Sequence, residues 1–320
     1  MSNNTRPGDE TPCPCPFLAE EYGNASRESA LFQVIPVPYE ASVSYGGGTG
    51  AGPGAILEAS NQLETFDGYS CPGDAGIHTW PAPDCSGEAE AVLSRVASAV
   101  EAALAAHPAR PVPVILGGEH SITAAALQGV LRHRRKSPGT GHGTNRAPVG
   151  LIQIDAHADL RREYQGSRLS HACVVRRVHE DLEVPVIQLG VRAISLEEVR
   201  YRETANAGEN RGTPLIWYDA VELVPTALQR FEIPQDFPQE VYLTIDVDGL
   251  DPSVCPATGT PVPGGIGWYQ ALGLLQWIAS HRRVVAFDVV ELAPIPFMHS
   301  ADYAMAELTY RVMGMIQRQR

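Results

Sequence analysis

The chain has 320 residues, with 24 basic against 37 acidic side chains and a formal net charge of −13. That length suits one large α/β domain or two small ones. The acidic balance argues against a nucleic-acid partner, which wants a basic face, and suits a cationic ligand. No apolar stretch approaches the ~20 residues needed to cross a bilayer, and the polar, proline-rich start carries no basic-then-apolar leader, so no membrane role and a cytoplasmic location are expected.

Residues 1–27 are expected to form a flexible N-terminal tail, and 28–320 a single domain. Within the tail, Cys13-Pro14-Cys15-Pro16 is spaced too closely for a zinc knuckle. Together with Cys71, Cys85, Cys173 and Cys255 these cysteines predict free thiols, not a disulfide framework. The first apolar run is Leu31–Pro36, and a glycine-rich stretch, Gly46–Gly54, follows it. It is not a P-loop, because no Gly-Lys-Ser/Thr closes it. It predicts either a loop entering a helix, with Pro53 in the first turn, or a loop flanking an active-site mouth.

A helical pattern over Glu88–Ala106 leads to a strand, Val112–Leu116, and then to Gly117-Gly118-Glu119-His120-Ser121. The two glycines allow a sharp exit from the strand, and Ser121 can cap the next helix, Ser121–Arg134. Residues 136–148, rich in Gly, Pro, Thr and Ser, predict a flexible insertion loop, with His142 solvated in it. The strand Val149–Ile154 then runs into Asp155-Ala156-His157-Ala158-Asp159. Beyond it come a helix over His171–Asp181, a strand Val186–Leu189, a helix Ser195–Ala205 and a strand Pro214–Trp217. Val241–Ile245 is another strand, closed by Asp246-Val247-Asp248. A helix over Gly267–Ser280, a strand Val284–Phe287 and a helix Ala301–Arg318 complete the chain. Continuous apolar strands alternating with helices predict an α/β fold, a three-layer α/β/α sandwich on a central, mostly parallel sheet.

In such sheets ligands bind at the carboxyl ends of the strands. Three strand ends here carry candidate ligands: His120; Asp155, His157 and Asp159; and Asp246 and Asp248. Buried carboxylates repel one another unless protonated or held by cations. Two histidines with four aspartates form a hard, oxygen-rich set that suits two Mn²⁺ better than Zn²⁺, with Ni²⁺ and Co²⁺ as alternatives. Six ligands for two metals require bridging carboxylates, and a pair of metals about 3.5–4 Å apart lowers the pKa of a shared water toward roughly 7. The constellation therefore points to hydrolysis.

At these residues the chain resembles the ureohydrolase family of arginases, agmatinases and their relatives. The motifs are GGEHS at 117–121, SHAC at 170–173, DAHADLR at 155–161, DVDGLDPSVCPATGTPVPGG at 246–265 and DVVELAP at 288–294. Within the family it looks most like agmatinases, through Pro38-Tyr39-Glu40 and Ser44-Tyr45-Gly46-Gly47-Gly48. The resemblance implies an arginase-like fold and two Mn²⁺ per chain. One ion would be held by His120, Asp155, Asp159 and Asp246, and the other by His157, Asp155, Asp246 and Asp248, with Asp155 and Asp246 bridging. It implies that Asp159 orients the nucleophile, that His171 passes protons to the leaving amine and that Glu291 grips a guanidinium. The implied substrate is a small cationic guanidino compound. Agmatine, giving putrescine and urea, leads; guanidinobutyrate, guanidinopropionate, guanidine and arginine are alternatives. Relatives form trimers or hexamers, so a homo-oligomer is expected.

The chain departs from its relatives at two places. Glu119 stands where many have Asp, and Arg161 stands where arginases carry an Asn that grips an amino-acid tail. Arg161 is expected to pair with an acid such as Glu163, because an inward Arg161 would favour carboxylate-tailed substrates. Ser42, Ser44 and Tyr45 are the candidates for reading the substrate's tail. A one-zinc deacetylase can share this fold class, but such sites lack a strand-end histidine like His120. A non-catalytic relative should have lost ligands, and all six are present.

Overall fold

The computed structural model describes residues 15–107, 110–136, 148–205, 213–226 and 231–320. Eight strands form one sheet: β1 (Phe32–Val37), β2 (Ile77–Thr79), β3 (Val112–Gly117), β4 (Val149–Ile154), β5 (Val186–Leu189), β6 (Leu215–Tyr218), β7 (Glu240–Asp246) and β8 (Arg283–Val290). Their order is β2-β1-β3-β8-β7-β4-β5-β6, and every pairing is parallel.

Helices cover both faces. They are α1 (Ala19–Tyr22), α2 (Gly52–Ser60), α3 (Ala89–Ala106), α4 (Ile122–Lys136), the single turn α5 (Val174–Arg176), α6 (Leu196–Ala205), α7 (Ala220–Leu223), α8 (Trp268–His281) and α9 (His299–Gln317). Successive strand residues point to opposite layers. Val34 and Val114 join a core with Ile56 of α2, Leu274 of α8 and Met305 of α9. Their neighbours Ile35 and Ile115 join a second core with Val96 of α3 and Leu127 of α4. Burial on both sides explains why these strands are apolar without alternation. No helix among the described residues is long and apolar enough to cross a membrane.

Several expectations need correction. The loose tail does not extend to Arg27: Phe17 and Leu18 are fully buried, and their amides donate to Thr79 Oγ1 at 2.9 Å and Ser60 Oγ at 2.8 Å. Residues 1–14 of that tail, with Cys13, lie outside the described residues, as do His142 and 137–147 of the expected insertion loop. β2 was not anticipated, because three residues at a sheet edge are too short to show a pattern. The strand expected to end at Phe287 continues to Val290 through a buried carboxylate, Asp288, which accepts from Tyr242 OH at 2.7 Å and Thr123 Oγ1 at 2.8 Å.

The helix expected over His171–Asp181 is broken into a 3-10 turn (His171–Cys173), α5 and a π-helical turn (Arg177–Asp181). The amides of Val175 and Arg176 donate to the Asp159 carbonyl at 3.1 and 3.2 Å, which ties the segment's start to the end of β4. Cys71, Cys85, Cys173 and Cys255 are free thiols.

Candidate metal centre

The four central strands β3, β8, β7 and β4 are neighbours; the carboxyl ends of β3, β7 and β4 carry the candidate ligands, and that of β8 carries Glu291. Ile154 of β4 pairs with Ile245 of β7, so Asp155 and Asp246 leave the sheet side by side. The exit from β3 requires glycine: a Cβ on Gly118 would lie 2.1 Å from the Tyr39 carbonyl oxygen. His120 is 1% exposed, and its backbone amide donates to Glu291 Oε1 at 2.6 Å.

The ring of His120 is held from behind by Thr244 Oγ1, 2.8 Å from Nε2. Among the described residues its Nδ1 has no hydrogen-bond partner, and it faces three carboxylate oxygens: Asp159 at 3.1 Å, and Asp155 and Asp246 at 3.2 Å each. His157 Nδ1 lies 2.9 Å from Asp248 Oδ2 and 3.7 Å from Asp155 Oδ1. The carboxylates are oriented by backbone amides: His157 N donates to Asp155 Oδ1 at 2.6 Å, Ala156 N to Asp248 Oδ1 at 3.0 Å and Asp248 N to Asp246 Oδ1 at 2.9 Å. Gln153, unremarked in the sequence, holds Asp155 Oδ2 at 2.6 Å.

Two groups of ligand atoms result, His120–Asp155–Asp246 and Asp155–His157–Asp248, with the atoms of each group within 4.8 Å of one another. Asp155 belongs to both, as a bridging ligand must. Asp246 belongs to one of these groups, and Asp159 stands beside His120 outside both. An orphaned, buried imidazole nitrogen aimed at a ring of carboxylate oxygens fits a divalent cation, and the N/O donor set fits Mn²⁺.

The electrostatics agree with that fit. Burial, then the charge of Asp155, pushes Asp159 up to about 7. Burial, then neighbouring aspartates, raises Asp246 and Asp248. Burial opposes ionisation of Asp155 too, but the imidazoles of His120 and His157 facing it hold it low. Burial would lower both histidines; the facing aspartates outweigh it, raising His120 and carrying His157 to about 12. Such a cluster needs positive charge to offset it, and two divalent cations would supply that charge.

Above the ligands lies a cavity of about 360 Å³, whose lining includes Ser42, Ser44, Tyr45, Tyr164, His171, Glu198 and Glu291. Glu291 and Asp159 hold φ of 66° and 52°, a left-handed conformation uncommon for residues other than glycine and concentrated at functional sites. Burial pushes Glu291 up to about 8, and no hydrogen bond among the described residues reaches its Oε2. His171 Nε2 lies 2.8 Å from Ser44 Oγ, so Ser44 touches this histidine; Tyr45 is 87% exposed at the mouth.

Arg161 differs from expectation. It lines the cavity with its guanidinium 5.2 Å from the Tyr164 ring centre, and no ion pair among the described residues joins it to Glu163. Pairing would have removed an exposed cation from the wall; stacking leaves its charge at the mouth. The glycine-rich stretch satisfies both of its readings, since Gly46 and Thr49 line the cavity and Pro53 sits in the first turn of α2. Glu40 organises it by accepting from Gly48 N and Gly50 N at 2.8 Å each, a role with no local sequence signal.

Comparison with known proteins places this geometry among relatives. A family model described as "Arginase family" matches residues 30–314. The chain is 35% identical to an N(1)-aminopropylagmatine ureohydrolase of Synechocystis sp., covering 96% of each chain. It is 30% identical to an agmatinase of Pyrococcus horikoshii, over 91% of this chain and 94% of the relative. The crystal structure of agmatine ureohydrolase of Thermoplasma volcanium superposes with a TM-score of 0.72 at 26% identity, covering 92% of each chain.

Proposed function

The chain belongs to the arginase family, and on that premise we propose that it hydrolyses a guanidinoalkylamine, agmatine or its N1-aminopropyl derivative, to urea and the corresponding amine. One observation carries the reading: Glu291 presents a half-buried carboxylate at the wall of the cavity above the His120 and His157 ligand groups. A guanidinium is planar and cationic, and a carboxylate pairs with it through charge-assisted hydrogen bonds. A cation against Glu291 would offset the burial that keeps it protonated.

His120, Asp155, Asp159 and Asp246 would hold one Mn²⁺, and His157, Asp155, Asp246 and Asp248 the other. When bound, the pair supplies the Lewis acidity that activates water near neutral pH. Asp159 would orient the attacking water toward the guanidinium carbon, which Glu291 would hold in place. His171 gives a proton to the departing amine, and burial, which lowers its pKa, leaves it ready to release that proton.

A second reading has its own support. Arg161 on the cavity wall would attract a carboxylate tail, which favours guanidinobutyrate or guanidinopropionate. Protein reconstituted with Mn²⁺ should release urea from agmatine and aminopropylagmatine, measured against guanidinobutyrate, guanidinopropionate, guanidine and arginine. Turnover of guanidinobutyrate without agmatine turnover would replace the first reading with the second. The same preparation should be a trimer or hexamer by light scattering.

A further inference from the structure

Glu119 is absent from the roles above, yet four hydrogen bonds converge on it. The amides of Ala41 and Ser42 donate to Oε2 at 2.5 and 2.6 Å, and the hydroxyls of Ser42 and Ser121 donate to Oε1 at 3.0 and 2.5 Å. Ser42 Oγ also lies 2.9 Å from His171 Nδ1 and accepts from the His171 amide at 3.1 Å. We propose that Glu119, acting through Ser42, is a positioning residue that holds His171 as the Nδ1–H tautomer, reserving Nε2 for the proton exchanged with substrate. The use made of Nε2 rests on the function proposed above; the tautomer does not.

The tautomer follows from a count of protons. A hydroxyl has one proton to give and two lone pairs. Glu119 has only lone pairs to offer four donors, so Ser42 spends its proton on Oε1. Its lone pairs then take the His171 amide and the ring Nδ1–H. In the other tautomer Ser42 would have to donate to Nδ1. Its oxygen and Glu119 Oε1 would then face each other at 3.0 Å with no proton between them. The Ser170 hydroxyl is 3.5 Å from Nδ1, too far to compete. With Nδ1 protonated, neutral Nε2 is bare and accepts from Ser44 Oγ at 2.8 Å. Protonating the ring leaves Ser42's bonds unchanged, so the relay also accommodates the imidazolium.

Glu119→Gln should invert the relay at nearly constant shape. The backbone amides of Ala41 and Ser42 can only donate, so they keep the glutamine carbonyl. Its NH₂ then points at Ser42, fills the second lone pair and sends the Ser42 proton to Nδ1. An imidazolium Nδ1–H would find no acceptor, so His171 should protonate less readily. The other charges bearing on the ring are His120 and His157, which oppose its protonation; Tyr164 meets it edge-on at 5.9 Å.

The test is the pH dependence of carbethoxylation of His171 by diethylpyrocarbonate, read by peptide mass spectrometry on Mn²⁺-loaded protein with metal content checked. This readout needs no turnover. In Glu119→Gln the midpoint should move acidward by about one pH unit, a shift typical of a lost charge-stabilising partner. Ser42→Ala, which removes the acceptor itself, should move it the same way, and the double variant should move it no further than the larger single shift. Unchanged midpoints in folded Glu119→Gln or Ser42→Ala protein would overturn the relay, leaving Glu119 a loop anchor that affects KM alone. Absence of urea release by the wild type would defeat the proposed function and leave the tautomer standing on its own measurement.

Discussion

Replacing Thr244 with valine should weaken one metal site and spare the other. The substitution is nearly isosteric, but it removes the hydroxyl that stands 2.8 Å from His120 Nε2. That contact keeps the proton on Nε2 and leaves the Nδ1 lone pair facing the carboxylates of Asp155, Asp159 and Asp246. Without it the ring is free to protonate on Nδ1, where a proton competes with the metal, and to rotate. Loss of such an outer partner typically costs 10–100-fold in metal affinity, or about 1.4–2.7 kcal/mol. The His157–Asp155–Asp248 group has no contact with Thr244 among those described, so the two sites should separate. Mn²⁺ binding, followed by the electron paramagnetic resonance of the free ion, should become biphasic, with one equivalent bound as in the wild type. Excess Mn²⁺ should restore most of kcat. Equal weakening at both sites, or none, would refute the assignment of His120 to a separate ion.

Glu291→Gln should lower kcat/KM for agmatine by roughly 30- to 1000-fold, about 2–4 kcal/mol for one partner of a buried charge pair, with bound metal unchanged by elemental analysis; loss of metal would mean that Glu291 serves the ligands instead. Arg161→Ala should lower KM for amine-tailed substrates and raise it for guanidinobutyrate, and the opposite pattern in steady-state assays would show that Arg161 is not facing the tail. Chelation should lower Tm by several degrees, since a ligand at 100 times its Kd stabilises by about 2.7 kcal/mol. In the metal-free protein Asp159 and Glu291 are raised from 3.8 and 4.5 to about 7 and about 8. Each therefore contributes stability that is full below its unfolded value and lost as pH rises through its folded value. Urea denaturation should show metal-free stability falling between pH 4 and 8, and Mn²⁺ should flatten that slope; a metal-free curve that rises over this range would contradict the assigned electrostatics.

The chain's local pattern determined a great deal. Apolar runs bounded by glycine and carboxylates located seven of the strands, because burial on both faces leaves a mark on every residue of a strand. The strand-end placement of the six candidate ligands was legible for a similar reason: charged groups directly after buried runs lie at strand ends. Asp288 escaped because a carboxylate inside a strand looks like the strand's end. Tyr242 and Thr123, 46 and 165 residues away, satisfy its Oδ2.

Tertiary structure alone decided the rest. The order β3-β8-β7-β4 sets His120, Glu291, Asp246 and Asp159 around one cavity, and no local pattern encodes which strands will be neighbours. The bonds from Glu119 to Ser42 and from Ser42 to His171 span 77 and 129 residues, so Glu119 reads along the chain as a mere change beside a ligand. Arg161 had Glu163 within reach along the chain, yet stacks on Tyr164. Hydrophobic periodicity and turn chemistry act between neighbours in sequence, and they say where a side chain is buried or the chain turns. Hydrogen bonds and charge pairs are settled by whatever the packed strands bring within about 3 Å, and that is where this protein's chemistry lies.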